Sequence, residues 1–203
     1  MTELRDAAAV RAHYGEPSHM GKAKQLARLD KHCRAFIALS PLVIVATVGA
    51  DSRADASPRG DAPGFVGVLD DTTLLIPDRI GNRRADTVLN ITANPQTGLL
   101  FVVPGINETL RVNGAARITV DPAMLTPLAV AGNMPVAGIL LSIEEVFFHC
   151  GKPLIRADLW NPERRIERSS FPSLGQILAD QIEGGDAGQN ERFIEEQYRT
   201  GLY

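Results

Sequence analysis

The sequence predicts a mainly β protein of the α+β class, an antiparallel barrel with helices at its periphery. Five to seven apolar, β-branched stretches follow one another between residues 41 and 150, with only short helical stretches between them. This order favours antiparallel pairing over alternating strand–helix units. Longer helical periodicity occurs before and after these stretches. We therefore expect a single domain over residues 1–203, with an N-terminal helical segment (1–40), a barrel core (41–150) and a C-terminal helical extension (151–203).

Composition is that of a globular protein without a nucleic-acid signature. The chain has 203 residues, 44% hydrophobic and 22% charged, which suffices for a substantial core. Its net charge of -3 gives no electrostatic case for nucleic acid as a partner. The N-terminus lacks a basic segment followed by an apolar run, and the longest apolar stretch is too short to span a bilayer. We expect a cytoplasmic protein with no membrane partner.

The first half of the chain is expected to form one helix followed by strands. Apolar residues at helical spacing predict an amphipathic helix over residues 20–39. Residues 42–48 form a β-branched run typical of a buried strand, and residues 53–57 predict a second strand. Residues 58–64 are rich in proline and glycine and predict a loop.

A hairpin and a helix are expected next. Residues 65–69 and 72–76 are separated by Asp70-Asp71, which predicts a hairpin. After a turn at Gly81, a helical pattern is expected over residues 82–90.

Three longer strands are then expected, over residues 97–103, 109–120 and 136–148. Asn113-Gly114 predicts either a hairpin turn or a bulge within one long strand. A short helix over residues 123–131 precedes the last strand, and helices are expected over 154–160, 173–182 and 191–198.

Residues 75–86 carry the strongest functional signal. An apolar strand runs into a tight turn, and a helical pattern then starts with two arginines. The N-terminus of a helix presents unpaired backbone N–H groups and a partial positive charge, so an anion there is stabilised. Arginine adds planar, bidentate donors that suit phosphate. Arg79, Asn82, Arg83 and Arg84 therefore predict a phosphate site, and the alternative is a solvated basic first turn.

Two further segments carry polar groups that could meet this site in a barrel. Ser57-Pro58-Arg59-Gly60-Asp61 places a hydroxyl, a guanidinium and a carboxylate in one turn, although a polar hairpin corner has the same composition. In residues 108–114, alternation puts Thr109, Arg111 and Asn113 on the face opposite Glu108, Leu110 and Val112. That polar face suits a ligand or an interface, and simple solvent exposure explains it equally well.

No hydrolase or metal motif accompanies these segments. The four histidines are scattered, and Cys33 and Cys150 lie far apart, so neither residue type shows ligand spacing. Nucleophile-elbow, zinc-protease, dinucleotide and P-loop signatures do not occur. We expect no metal, and the catalytic residues stay unknown.

Over roughly residues 36–160, the chain resembles the pyridoxamine 5'-phosphate oxidase-related flavoproteins, which are split barrels that bind FMN. The resemblance rests on residues 57–61, on residues 75–84 with Asn94-Pro95, and on residues 98–101 followed by 108–114. Residues 149–156 and Leu159-Trp160 are similar to the end of the domain in one bacterial branch of that group.

The resemblance implies an FMN site shared across a homodimer with two-fold symmetry. The phosphate would be held by Ile76, Pro77, Asp78, Arg79, Asn82, Arg83 and Arg84. The isoalloxazine ring would lie along Ser57, Pro58, Arg59, Gly60 and Asp61. Glu108, Thr109 and Arg111 would face the partner's site, and Lys152 and Trp160 would close it from the C-terminal segment.

Two departures limit what the resemblance implies about activity. The Tyr-Thr-Asn strand end of the true oxidase is replaced by Ile76-Pro77-Asp78, and its arginine-rich C-terminal substrate segment has no counterpart. The expectation is therefore an FMN-dependent oxidoreductase with an unknown small-molecule substrate. The alternative is a non-catalytic protein that binds or stores flavin, deazaflavin or haem on the same barrel.

Overall fold

The computed structural model describes residues 3–203, in which helices flank a run of strands. The helices are α1 (Ala7–Tyr14), α2 (His19–Ala23), α3 (Lys31–Leu39), α4 (Asp86–Ala93), α5 (Pro122–Leu125), α6 (Lys152–Arg156), α7 (Leu174–Gln181) and α8 (Ala187–Thr200). The strands are β1 (Leu42–Val48), β2 (Ala54–Gly60), β3 (Gly67–Val68), β4 (Thr73–Asp78), β5 (Gln96–Val102), β6 (Thr109–Thr119) and β7 (Ala137–His149).

All seven strands belong to one antiparallel sheet, in the order β2-β1-β5-β6-β7-β4-β3. The sheet curls so that side chains of β2, at one edge, reach β4, next to the other edge. Arg59 Nε on β2 donates to Asp78 Oδ1 on β4 at 3.2 Å. The predicted antiparallel split barrel with peripheral helices is therefore confirmed.

The core lies inside this curl because each strand alternates between buried and outer residues. On β1 and β5, Val43, Val45, Leu99 and Phe101 are at most 1% exposed. Residues of α3, among them Phe36, join the same apolar cluster. Each such side chain contributes about 1.5–3 kcal/mol on burial.

The prediction of a single helix over residues 20–39 is wrong. The segment forms two helices, α2 and α3, separated by residues that include Leu26, which pairs with Val146 as an isolated bridge. Asp30 is the physical reason for the second start, because its Oδ1 accepts from the backbone N–H groups of His32 and Cys33. Apolar spacing alone does not distinguish one helix from two that bury the same face.

The loop expected from residue 58 starts later than predicted. Strand β2 continues to Gly60, because residues 58–60 pair with residues 42–44 of β1. Pro58 lacks an N–H donor, which is tolerated because β2 is an edge strand. The Ser57–Arg59 part of the expected turn is therefore extended strand.

The helix expected over residues 82–90 begins at Asp86 and ends at Ala93. Arg83 and Ala85 have φ values of 61° and 56°, a left-handed conformation that cannot continue into a helix. The two arginines therefore precede the helix instead of forming its first turn.

The remaining strand predictions hold, with shifts of one to three residues at the ends and a shorter first hairpin strand, β3. Strand β6 continues through Asn113-Gly114, so the hairpin alternative is wrong. The register against β7 shifts there because β7 carries one extra residue, Glu144, between the partners of Asn113 and Gly114. The C-terminal segment is helical, with α7 and α8 packed against each other. Throughout residues 3–203, every helix is too short or too polar to cross a membrane.

Candidate functional site

The site is built around the 79–85 loop, which connects β4 to α4. Asn82 Oδ1 accepts from the backbone N–H of Arg84 at 3.1 Å, a local turn that competes with helix formation. The left-handed residues Arg83 and Ala85 lie on either side of Arg84. Consecutive turns of this kind direct backbone N–H groups to one side, as in anion-binding nests.

The N-terminus of α4 lacks the cap that most other helices carry. Asp or Ser side chains accept from the first turn of α1, α2, α3, α5, α7 and α8. At α4 the N-cap is Ala85, and no side chain in residues 3–203 accepts from its first turn. These N–H groups and the positive end of the helix dipole therefore face the loop without a protein acceptor.

Arg83 and Arg84 extend from this loop into solvent. Arg84 Nε donates to Asp86 Oδ2 at 2.8 Å, and that hydrogen bond, followed by the charges of Asp86 and Asp55, raises the pKa of Arg84. An arriving anion would compete with Asp86 for the guanidinium. Both arginines are long enough to bend toward the uncapped helix end, which suits a phosphate group.

Arg79 has a different environment from these two arginines. Its Nε and Nη2 donate to Asp61 Oδ2 at 3.1 and 2.7 Å, and its Nη1 donates to the Leu128 carbonyl at 2.9 Å. The Asp61 side chain is only 3% exposed. Arg79 therefore anchors the start of the 79–85 loop to the residues after β2 and to the turn after α5.

Asp61 is held ionised by this arrangement. Burial alone would raise its pKa, but donors from Ala62 N–H, Tyr203 and Arg79, together with the Arg79 charge, outweigh burial and lower the pKa of Asp61 below its ordinary value. The Tyr203 phenol donates to Asp61 Oδ1 at 2.8 Å.

A second ion pair joins the same two strand ends. Arg59 Nε contacts Asp78, and its Nη1 donates to the hydroxyl of Ser57 and, at 3.1 Å, to the Pro58 carbonyl. The side chains of Arg59 and Asp78 are about one-fifth exposed. Ser57, Arg59 and Asp78 thus form one group beside the Asp61–Arg79 pair.

An open cavity of about 520 Å³ lies at the ends of β1, β2 and β5. Small residues dominate its walls, which are lined by Ala46, Thr47, Val48, Ala54, Asp55, Ala56, Gln96, Thr97, Gly98 and Asn113. Asp55 connects it to the start of α4, because Thr87 Oγ1 donates to Asp55 Oδ2 at 3.3 Å. Asn90 of α4 also donates to Thr47 at 3.1 Å. An apolar groove of ligand size therefore lies next to the uncapped helix end.

Several of the residues predicted to bind FMN are buried or lie away from the 79–85 loop. Ile76 and Pro77 are buried in β4 and paired with β7, so neither presents an exposed group to a ligand within one subunit. Glu108, just before β6, and Arg111 are exposed, whereas Thr109 is buried. In the part of the chain that the structure describes, no hydrogen bond joins these three to the 79–85 loop, so their predicted contribution to a partner's site stays a prediction.

Arg111 lies in a cationic and aromatic surface on β6 and β7. Its guanidinium carbon is 5.3 Å from the Phe147 ring centroid, and Lys24 Nζ is 5.2 Å from the same centroid. Burial, followed by the charges of Arg111 and Lys24, lowers the pKa of His149. The alternation predicted for residues 108–114 is confirmed for residues 110–113, where Leu110 and Val112 lie in the core and Arg111 is exposed, but Thr109 is buried and Glu108 is exposed.

Lys152 and Trp160 are far from the 79–85 loop in sequence, and Trp160 contacts a different part of the barrel. Lys152 is exposed at the start of α6. The Nε1 of Trp160 donates to the Ile106 carbonyl at 3.0 Å. The Trp160 side chain also lines a separate cavity of about 260 Å³. Within one subunit Trp160 therefore supports the turn before β6.

Three residues of the site escaped sequence reasoning. Asp55 alternates with Ser57 on β2, and that spacing could have placed it on the same face. Thr87 is the second residue of α4. The sequence pattern predicts that the helix begins at residue 82, so it does not place Thr87 at the helix start. Tyr203 is 142 residues from Asp61, and nothing in the sequence pattern connects them.

Across residues 3–203, no three His, Cys, Asp or Glu residues are grouped so that they could hold a metal ion.

Comparison with known proteins agrees with this architecture. HupZ from Group A Streptococcus superposes with a TM-score of 0.50 at 21% identity, over 59% of this chain and 93% of that one. A putative pyridoxamine 5'-phosphate oxidase from Lactobacillus delbrueckii gives a TM-score of 0.47 at 24% identity, over 61% and 98%. An FMN-binding protein from Syntrophomonas wolfei gives 0.45 at 13% identity, over 58% and 83%. At 21% identity, the likeness to HupZ shows a shared fold and nothing beyond it.

Sequence comparison gives the stronger result. No curated protein matches the chain significantly. The profile described as pyridoxamine 5'-phosphate oxidase matches residues 29–150, more than half of the chain. This match includes all seven strands and the 79–85 loop. The chain therefore belongs to the pyridoxamine 5'-phosphate oxidase family.

Proposed function

We propose that this protein binds FMN and acts as an FMN-dependent oxidoreductase on a small molecule. One observation supports this most directly: an uncapped helix start with two exposed arginines lies next to an apolar groove of about 520 Å³. FMN has the matching parts, since a phosphate group is joined through a ribityl chain to a flat aromatic ring.

The phosphate end is assigned to the 79–85 loop. Backbone N–H groups at the start of α4 supply neutral donors, and Arg83 and Arg84 supply charge. Arg79 acts indirectly, because its guanidinium is already bonded to Asp61 and Leu128. Its role in this proposal is to fix where the loop begins.

The ring end is assigned to the groove between β1, β2 and β5. Ala46, Ala56 and Gly98 leave a surface without bulky side chains, which a planar ring can approach closely. This places the ring near residues 54–56 of β2, slightly before the predicted residues 57–61. Bound FMN supplies the hydride chemistry, while the chain sets its orientation and its access to water and substrate.

The first test is the absorption spectrum of the purified protein, followed by titration with FMN. We expect a yellow protein, or a colourless one that quenches the fluorescence of added FMN. A protein that neither carries nor binds FMN would contradict the proposal. Reduction by NAD(P)H in stopped flow, followed by reoxidation, then separates an oxidoreductase from a protein that only stores flavin.

A variant series tests the phosphate assignment. Arg83→Ala and Arg84→Ala are expected to weaken FMN binding by roughly ten-fold each, because each removes a charge-assisted contact. Riboflavin, which lacks the phosphate, should bind both variants as it binds the parent protein. Arg165→Ala, an exposed arginine in the C-terminal extension, is the matched control. Equal losses for both ligands would remove the assignment.

Assembly as a homodimer is also proposed. The outer faces of β1 and β5 carry half-exposed apolar side chains, namely Leu42, Ile44, Val48, Leu100 and Val102. Such a contiguous apolar face on one side of a sheet is typical of an interface. It borders the groove assigned to the ring, so a second subunit would shield that groove from water. Residues of β6 would then approach the partner's site.

A further inference from the structure

We propose that Tyr203 is a positioning residue for the 79–85 loop and that the C-terminal segment thereby controls how tightly the phosphate end of FMN is held. The effect on FMN rests on the proposed function, whereas the effect on the loop does not. Tyr203 lies outside residues 29–150, the part of the chain that matches the family model.

The evidence starts with a shared carboxylate. Asp61 Oδ1 accepts from the Tyr203 phenol at 2.8 Å, and Asp61 Oδ2 accepts from Arg79 at 2.7 and 3.1 Å. The backbone N–H of Ala62 is a further donor to Oδ1, at 2.8 Å. Both oxygens are therefore used, and their donors fix the orientation of the carboxylate.

Tyr203 also contacts Arg79 directly. The guanidinium carbon of Arg79 lies 5.4 Å from the centroid of the Tyr203 ring, within the range of a cation–π interaction. The side chain of Arg79 is 15% exposed, so this contact is partly shielded from water. Tyr203 therefore restrains both partners of the Asp61–Arg79 pair.

This pair determines where the 79–85 loop begins. Strand β4 ends at Asp78, and Arg79 is the next residue. At the far end of the loop, α4 is tied to the barrel through Thr87–Asp55 and Asn90–Thr47. If Arg79 shifts, the spacing between the loop arginines and the start of α4 changes, although α4 stays in place.

The C-terminal segment has few other polar ties to the barrel. Helices α7 and α8 pack on each other, and α8 ends at Thr200. Among the hydrogen bonds of residues 3–203, the Tyr203–Asp61 bond is the only one that joins residues 174–203 to the strands or their connecting loops. The hydrogen-bonded connection between the helical pair and the barrel therefore runs through one tyrosine.

The test compares Tyr203→Phe, which keeps the ring and removes the hydroxyl, with Tyr203→Ala. Tyr198→Phe is the matched control, because Tyr198 is 61% exposed on α8. Hydrogen exchange is measured first, in the ligand-free protein, over peptides that cover residues 79–85. Both Tyr203 variants are expected to exchange on the order of five-fold faster there, with β6 and β7 unchanged.

Ligand binding is measured second. Tyr203→Phe should weaken FMN roughly 3- to 10-fold, less than the full loss of one hydrogen bond to a charged group because Tyr203 acts on FMN only through the loop, and riboflavin should be unaffected. A general loss of structure would weaken both ligands and lower the unfolding temperature, so the FMN-to-riboflavin ratio isolates positioning. In an Arg79→Met background the Tyr203→Phe loss should largely disappear, because methionine can neither pair with Asp61 nor form the cation–π contact with Tyr203.

The outcomes separate the two proposals. Unchanged exchange at residues 79–85 in both Tyr203 variants would overturn the positioning role, whatever the ligand result. A parent protein that does not bind FMN would contradict the proposed function. Faster hydrogen exchange at residues 79–85 in the Tyr203 variants would still support the positioning role of Tyr203. Faster exchange with an unchanged FMN-to-riboflavin ratio would overturn the claim that Tyr203 controls the phosphate end.

Discussion

At the scale of single residues, the charge partner of each arginine decides what that arginine can do. Arg79, Arg83 and Arg84 lie within six residues and are equivalent in a sequence pattern. Arg79 is mostly buried against the buried carboxylate of Asp61, whereas Arg83 and Arg84 are exposed beside an uncapped helix, and the Asp86 partner of Arg84 is itself exposed. The burial of the Asp61 carboxylate thus separates an anchoring arginine from two candidate phosphate ligands.

Substitution of Asp61 tests the anchor through the pH dependence of stability. The folded-state pKa of Asp61 is lowered, so its contribution to stability is complete above its unfolded pKa of about 3.9 and is lost as the pH falls through the folded value. Asp61→Asn should lower the free energy of unfolding at pH 7 by about 2 kcal/mol, because Arg79 loses its partner. The difference should shrink below pH 4.

Denaturant unfolding at pH 7 and at pH 3 measures this difference. Asp51→Asn is the control, because the Asp51–Arg53 pair is largely exposed and contributes little. A constant Asp61→Asn difference across the two pH values would contradict the assignment.

The two cysteines should differ sharply in reactivity. Cys33 is 2% exposed, and burial raises the pKa of its thiol to about 11. Cys150 is exposed. Because the thiolate is the reactive form, a disulfide reagent at pH 8 should titrate one thiol per folded chain and two after denaturation. In Cys150→Ser the folded protein should not react, and a rapid reaction there would show that Cys33 is accessible.

At the scale of elements, tertiary partners move the boundaries that local patterns suggest. Strand β2 runs through Pro58 because β1 offers a partner for the residues that follow it. Helix α3 starts late because Asp30 caps it, and α4 starts late because residues 83 and 85 are left-handed. Whether a segment becomes a helix or a strand thus follows from its local sequence, whereas the residues at which it begins and ends depend on capping and strand pairing.

The change of register between β6 and β7 at Gly114 gives a test at this scale. At Gly114 a Cβ atom would overlap the carbonyl oxygen of Ser142 on β7 and lie 3.2 Å from the Glu144 nitrogen. Gly114→Ala should therefore push β6 from β7 and destabilise the fold by about 1–3 kcal/mol or more. Gly81→Ala is the matched control, because a Cβ atom there would meet no atom of residues 3–203 within 4 Å, and the φ of Gly81 is not left-handed.

Thermal and denaturant unfolding compare these two glycine variants. A Gly114→Ala protein as stable as the parent would mean that the strand pair relaxes at this position without cost.

At the scale of the whole molecule, the two apolar surfaces of the sheet differ in their exposure to solvent. The inner surface forms the core, and the outer surface of β1 and β5 stays half-exposed in a single chain. The candidate groove opens on this outer side, between β2, β1 and β5. Assembly and ligand binding are therefore expected to depend on the same surface.

Ile44→Asp tests that dependence. A buried, unpaired carboxylate in the proposed interface should convert a dimer of 21.9 kDa chains into monomers and weaken FMN binding. Sedimentation velocity measures the mass, and fluorescence titration measures the affinity. Ile166→Asp, at a site 75% exposed in the C-terminal extension, should change neither. A parent protein that is monomeric at micromolar concentration would refute the interface.

Much of the architecture was accessible from the sequence. Strand alternation and turn residues are local features, and the family motifs identified the split barrel. The candidate site was accessible in part, since residues 79–84 were found from their composition. The alternation of β6 was also correct, because sheet faces follow from backbone geometry alone.

Periodicity and side-chain chemistry within a few residues were enough to predict the strands, the buried face of β6 and an anion site near residues 79–84. The pairing of Arg79 with Asp61, the missing cap of α4, the groove beside Asp55 and the contact between Tyr203 and Asp61 are visible only in the folded chain. Each of these depends on contacts between residues far apart in the chain, which form only when the sheet curls and brings its two edges together.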